Sequence, residues 1–374
     1  MPPLAQRNLF RDKVRLTVTL TGIVFAVVLI TVQIGMFIGF ASTTSGLIDH
    51  SGVDIWIGAK HVPYIDQASP FSERKLYQVL ATPGVEDAQK YILGWGDWQR
   101  PDGGHEGTQV VGFNPDSKYG APWNVVVGRV EDLKQPDAVM IDQFYAPRLG
   151  VTQVGQTFEI YGRRAHVVGF TKGIRTFTTM PYVFTTFKNA QGYVRLKADQ
   201  TIYILVKAKP GVNVQKLQHD LEQRVRGVDV YTTPEFRDKT RFYWMFSTGA
   251  GIAVLLAALL GLVVGVVVVA QTIYATTMDH LREYGTLKAM GASNGYIYRV
   301  IIKQAVISAL LGYLAGMAVS VFVVHASKTG GASIILPWPM GVGMLGLTLL
   351  MCVVAAIVSI NKVTRIDPAM VFKG

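Results

Sequence analysis

The chain has 374 residues, half of them apolar and only 16% charged, where a soluble globular domain carries roughly 25% charged residues. That deficit points to a membrane. A mean hydropathy of +0.30 and a net charge of +11 without a basic tail exclude a free nucleic-acid-binding domain. One cysteine, Cys352, excludes a disulfide framework and a cysteine-based zinc site.

Residues 1–15 form a short basic start. Residues 16–48 carry no charged side chain, and Leu16 to Phe40 is apolar enough to cross a hydrocarbon core of about 30 Å as a helix, too long a run for a signal peptide. A polar body follows over residues 49–241. Residues 242–278 are again free of charge; as one continuous helix they would measure about 55 Å, so part is expected to project as a stalk. A polar segment over 279–303, a third span over 304–325, a tight outer turn over 326–337, a fourth span over 338–360 and a tail over 361–374 complete the order.

Positive charge assigns the sides. Arg7, Arg11, Lys13 and Arg15 precede the first span, Arg282, Lys288, Arg299 and Lys303 lie between the second and third, and Lys362, Arg365 and Lys373 follow the fourth. These segments are expected to be cytoplasmic, with both termini inside. The polar body holds 24 Lys and Arg against 21 Asp and Glu. Most of the net charge is therefore topology rather than a binding surface.

The polar body reads as α/β. Val53 to Ile57 alternates as a strand, Ser69-Pro70 signals a helix start with Leu76, Val79 and Leu80 on one face, and a strand lies near Ala88 to Leu93. The order recurs: a strand over Thr201 to Val206, a helix capped by Asn213 with Val214, Leu217, Leu221 and Val225 inward, and a strand over Val228 to Thr232. Between them, residues 107–200 are strand-rich, clearest at Gln109 to Phe113, Phe158 to Tyr161 and His166 to Phe170. The expected fold is a four-span helical membrane domain plus an extracytoplasmic α/β domain of two split β-α-β halves with an inserted β subdomain. Trp95, Trp98 and Trp123 fall in loops containing glycine or proline, where they line a surface or belong to the core.

Several motifs fail in context. Gly341-Val342-Gly343-Met344-Leu345-Gly346 has dinucleotide-binding spacing but lies within a span, where close helix packing accounts for it better. Gly291-Ala292-Ser293-Asn294-Gly295 has the nucleophile-elbow spacing without a preceding strand, so Ser293 reads as a turn or helix cap. No Gly-Lys dipeptide occurs, which removes a P-loop, and seven dispersed histidines give no metal site. No catalytic residue, metal or cofactor is expected in this chain. Gly35 with Gly39, Gly261 with Gly265, and Gly312 with Gly316 sit four apart and would let helix backbones approach, within one protomer or between two. No charged residue lies in mid-span, so the usual mark of an ion pathway is missing.

The most specific stretch is Met278 to Ser293, which contains Arg282-Glu283-Tyr284-Gly285-Thr286-Leu287-Lys288-Ala289-Met290-Gly291-Ala292. It resembles the segment by which permeases of the FtsX/MacB-like family of ABC transporters dock on a cytoplasmic ATPase. Leu4 to Leu9 is similar to the family's amphipathic start, and Arg365-Ile366-Asp367-Pro368-Ala369 to its C-terminal signature. Leu149-Gly150-Val151 with Val154-Gly155-Gln156-Thr157 resembles part of its outer domain. Gln156 stands where the family often has Asp, and Gln304 where it often has Glu. Without a fused ATPase domain, the chain looks closest to stand-alone DevC-type permeases.

The resemblance implies a bacterial inner-membrane permease acting as a homodimer, in contact with membrane lipid and with no nucleic-acid partner. ATP and Mg would be bound by separate ATPase subunits contacting Arg282, Glu283, Gly285, Leu287, Lys288, Met290, Gly291 and Ala292. A periplasmic adaptor and an outer-membrane channel would receive a periplasmic or outer-leaflet substrate, moved by mechanotransmission along a continuous second helix. The alternative within the family is a relay of force or signal to a periplasmic protein, with no substrate moved.

Overall fold

In the computed structural model, residues 13–176, 180–279, 283, 285, 286, 290, 292–327 and 334–363 are described. They form two compact units, one holding residues 1–40 and 251–374, the other residues 41–250.

The first unit is built on four helices long and apolar enough to cross a membrane: Lys13–Thr44, Ala250–Asp279, Asn294–Ser327 and Trp338–Val363. Their shared core draws Ile23, Ala26, Val27 and Ile30 from the first, Val269 and Ile273 from the second, Ile297, Ile301, Ala305 and Ala309 from the third, and Met344, Cys352 and Ala356 from the fourth. Hydroxyls in these helices bond back one turn: Thr272 to the Val268 carbonyl, Thr277 to Ile273, Ser320 to Gly316 and Thr348 to Met344. Where no water is present, this satisfies a polar group without a partner helix.

Three boundaries differ from those read in the sequence. The first helix ends at Thr44, and a separate turn, Gly46–Asp49, follows. The third begins at Asn294, ten residues before Gln304, so Arg299 and Lys303 are helical rather than part of a polar linker. The continuous second helix expected over 242–278 is interrupted. A five-residue π-helical turn spans Tyr243–Ser247, and Gly249 takes φ +76° before the membrane helix starts at Ala250. A left-handed residue cannot continue a right-handed helix, and glycine adopts that conformation without steric cost. Thirty residues remain beyond the break, about 45 Å of helix.

Among the described residues, the second unit carries twelve strands: β1 (Ile55–Ala59), β2 (Phe71–Ser72), β3 (Val85–Gln99), β4 (His105–Phe113), β5 (Val125–Val127), β6 (Ala138–Asp142), β7 (Thr157–Ile160), β8 (Arg163–Thr171), β9 (Tyr182–Thr186), β10 (Gln200–Thr201), β11 (Tyr203–Ala208) and β12 (Val228–Thr232). Its main helices are α1 (Lys75–Leu80), α2 (Val214–Arg224) and α3 (Thr233–Phe242).

The two β-α-β halves interleave. Strand β1 lies between β12 and β11, and β11 pairs onward with β3, all antiparallel, which is the split β-α-β arrangement. Ile55, Ile57, Ile204 and Val206 from the sheet pack with Val79 of α1 and with Leu217 and Leu221 of α2. Asn213 caps α2 by accepting the Lys216 N–H at 3.0 Å, and Thr232 with Glu235 forms a capping box at the start of α3. Ser69-Pro70 does not open a helix. Phe71 and Ser72 are held extended by pairing with Gln200 and Thr201, so α1 begins at Lys75.

The inserted β subdomain is joined to the halves by one long strand. The first part of β3 pairs with β11 and the rest, from Ile92, with β4. From there β4 pairs β9, β9 pairs β6, β6 pairs β8, β8 pairs β7, and β7 returns to β3. Six strands thus close into a ring filled by Trp98, Val110, Val139, Ile160, Val167 and Val183, all 0% exposed.

Candidate coupling site and the contacts around it

Of the eight residues expected to meet an ATPase, Glu283 and Gly285 are helical, and Met290 is 71% exposed, its N–H donating to the Thr286 carbonyl at 3.0 Å. Ala292 lies just before the third helix. Arg282, Leu287, Lys288 and Gly291 lie outside the described residues. Ser293 Oγ accepts the Tyr296 N–H at 3.3 Å at the start of the third membrane helix, a cap rather than a nucleophile.

The glycines fall into distinct environments. A Cβ on Gly312 would sit 2.5 Å from Ile23 Cγ2, one on Gly316 2.8 Å from Val27 Cβ, and one on Gly265 3.2 Å from Ala26 Cβ. These three place the second and third helices against the first, within one chain. Gly261 is looser, 3.4 Å from Leu29. Gly35 serves no helix pair: a Cβ there would sit 2.8 Å from Ile334 Cγ2, and its carbonyl accepts the Ile335 N–H at 3.1 Å, so the segment before the fourth helix rests on it. Gly39 lies on the same helix. Gly343 and Gly346 face open space, and only Gly341 is engaged, accepting the Tyr313 hydroxyl at 2.9 Å. Among the described residues of this chain, the G-x-G-x-x-G stretch meets the third helix through Gly341.

In the second unit, both chain ends are tied at one place. Arg241 on α3 donates from Nε to the Ser45 hydroxyl at 2.8 Å and from Nη2 to Asp49 Oδ2 at 2.9 Å. Ser45 donates to the same carboxylate at 2.7 Å, and Arg237 lies 4.0 Å from its other oxygen. Directly after α3, Tyr243 stacks on Tyr64 with centroids 4.0 Å apart, and Trp244 meets Tyr64 edge-on at 5.1 Å. Trp244 also hydrogen-bonds the Asp66 carboxyl, which accepts Gln109 Nε2–H at 3.0 Å. Neither cluster was found from sequence, because each joins residues far apart in the chain with no motif between them.

Trp95 and Trp98 are on β3 rather than in a loop. Three apart on a strand, they face opposite sides: Trp98 is buried with its indole donating to the Leu149 carbonyl at 3.1 Å, whereas Trp95 is 48% exposed. Trp123 stacks flat on His50 at 4.0 Å. Gln156 uses its side-chain oxygen to accept the N–H groups of Thr152 and Gln153. Gln304 is buried within the third helix.

Two family descriptions match, the MacB-like periplasmic core domain over residues 16–224 and the FtsX-like permease C-terminal region over residues 239–368. An uncharacterized ABC transporter permease of Mycobacterium tuberculosis is 24% identical over 379 residues, covering 99% of each chain. A second from that species is 24% identical over 392 residues with the same coverage. Among solved structures, the periplasmic region of MacB from Actinobacillus actinomycetemcomitans aligns with 50% of this chain and 92% of its own at 11% identity, TM-score 0.38. The extracellular domain of the ABC-type transporter YknZ from Gram-positive bacteria aligns with 48% and 98% at 13% identity, TM-score 0.37.

Proposed function

Because this chain belongs to the FtsX/MacB-like family of ABC transporter permeases, we infer that it carries ATP-driven motion from a cytoplasmic ATPase to its outer α/β domain. That domain then moves a periplasmic or outer-leaflet substrate towards an adaptor and an outer-membrane duct. The permease acts as a homodimer in the inner membrane with both termini cytoplasmic, and an ABC permease requires an ATPase partner to supply ATP and Mg.

The observation that carries this reading is the uncharged interior of the membrane helices. Among the described residues, the buried polar groups there are Thr19, Thr31, Thr44, Thr277, Gln304, Ser308, Ser320 and Thr348, without an acid or base. A helix core of this kind offers no polar route for substrate through the bilayer, so the work is assigned to the outer domain. The interruption at Gly249 changes the route of transmission: motion passes through a short π-helical turn rather than along one rigid rod.

The test is a double substitution, Leu287→Ala with Met290→Ala, in the permease purified with its ATPase. On any helix, side chains three apart share a face and can fit a hydrophobic groove, and loss of such a pair is expected to remove about 2–4 kcal/mol of contact. Insertion and dimerisation should persist while ATPase coupling and export are lost. Retained coupling and export would refute docking through this segment. Coupling lost with no export detectable in the unsubstituted protein would assign it to the relay of force instead.

A further inference from the structure

Asp66 sits where the loop between β1 and β2 meets the turn Tyr243–Ser247. The residue as a whole is only partly buried, but its carboxyl reaches inward to Gln109 on β4 and to the indole N–H of Trp244. The backbone beside it is fixed from β11, whose Tyr203 hydroxyl donates to the Ile65 carbonyl at 2.7 Å. The titratable groups around it are phenols: Tyr64 on its own loop, Tyr243 on the turn, Tyr182 on β9 and Tyr203 on β11. The groups that act on the carboxyl include no cation. Burial pushes Asp66 up from 3.8 to about 6, and the hydrogen bonds from Gln109 and Trp244 pull it down without offsetting that.

We propose that Asp66 is the proton-binding group of a latch that holds the Tyr243–Ser247 turn against the β1–β2 loop, docking with a proton bound and loosening when it ionises. The direction follows from linkage. The arrangement that buries the carboxyl binds a proton more tightly than one in which water reaches it, so protonation favours docking and ionisation favours release. Gln109 supplies a partner for the protonated form: its Oε1 is buried without a hydrogen bond, and a rotation of the amide lets it accept the Asp66 O–H. The docked element suits such a change, since π-helical turns are rare and Gly249 ends this one. The inference does not depend on whether the permease exports or relays.

Hydrogen exchange on the full chain in lipid nanodiscs between pH 5 and 8, corrected for the intrinsic pH dependence of amide exchange, tests this. Peptides covering residues 60–70 and 243–249 should be about tenfold more protected at pH 5 than at pH 8, with a midpoint near 6. Asp66→Asn, which mimics the protonated form, should stay protected throughout, while Asp102→Asn at an exposed acid should follow the unsubstituted protein. Flat protection in the unsubstituted protein, protection that rises with pH, or a step surviving in Asp66→Asn would overturn the proposal. If Asp66→Asn does not fold, Trp244→Phe decides. It removes a bond that favours the ionised form, so the midpoint should move to higher pH, and an unmoved midpoint would overturn the assignment.

Discussion

Arg241 reaches back across 192 positions of sequence to Asp49, its Nη2 donating to Oδ2 at 2.9 Å while its Nε holds Ser45. The segment that leaves the first membrane helix and the helix that leads towards the second are thereby fastened side to side. Both charged side chains are about a third exposed, so solvent screens the pair. A double-mutant cycle of Arg241→Ala and Asp49→Ala, read by thermal unfolding of the purified protein, should give a coupling of about 0.5–1 kcal/mol. Arg241→Lys should recover little of it, because an ammonium cannot reach both partners as the guanidinium fork does. Additivity of the two alanine changes would show that the pair is not coupled.

The membrane glycines should respond unequally to one added methyl. Gly312→Ala forces a carbon to 2.5 Å from Ile23 and should cost about 1–3 kcal/mol, the usual range for overpacking. Gly343→Ala meets nothing within 4 Å and should be neutral, or stabilising by up to about 1 kcal/mol through helix propensity. Melting of each variant in the same detergent measures the difference. Equal shifts would contradict the packing of the third helix on the first.

Acid stability offers a reading of Asp66 independent of exchange. The folded protein holds the Asp66 proton up to about pH 6 and the unfolded chain only to about 3.8. Between those values the folded state binds more protons, so this group's contribution is full below 3.8 and is lost as pH rises through 6. Its upper bound is about 3 kcal/mol at 1.36 kcal/mol per pH unit. Relative to Asp66→Asn, the unsubstituted protein should therefore lose stability as pH is raised from 4 to 7. A difference that stays constant with pH would count against a raised Asp66.

Single cysteines report the orientation. In a Cys352→Ser background, a cysteine replacing the exposed Lys118 should react with an impermeant thiol reagent in intact spheroplasts, and one replacing the exposed Ser293 should not. Labelling at Ser293 would reverse the topology.

Local patterns in the chain go far towards its elements and stop at its joints. The strand at Val228 to Thr232 and the helix capped by Asn213 stand where alternation and capping chemistry put them, since both signals act over a few residues. Interruption of the second helix escaped because Thr248 and Gly249 sit in an apolar run, where one glycine is common and only its φ shows the break. The helix carrying Leu76, Val79 and Leu80 is present but starts at Lys75 rather than after Ser69-Pro70, for another reason: a pairing with residues about 130 positions away overrode a local start signal. The contacts of Asp66 and of Arg241 are long-range, and no periodicity encodes them.

The closed ring of six strands has a consequence for evolution. A sheet with an open flank invites any extended peptide to join it, including a copy of itself. In the ring, every strand already has a neighbour on both sides, and on β12 the side chains of Gln218 and Glu235 occupy the Val230 carbonyl and the Thr232 N–H. Recognition by the ring is therefore left to side chains and loops, which can change from one lineage to another while the strand framework stays the same. A scaffold that resists adhesion in general is free to acquire it in particular places.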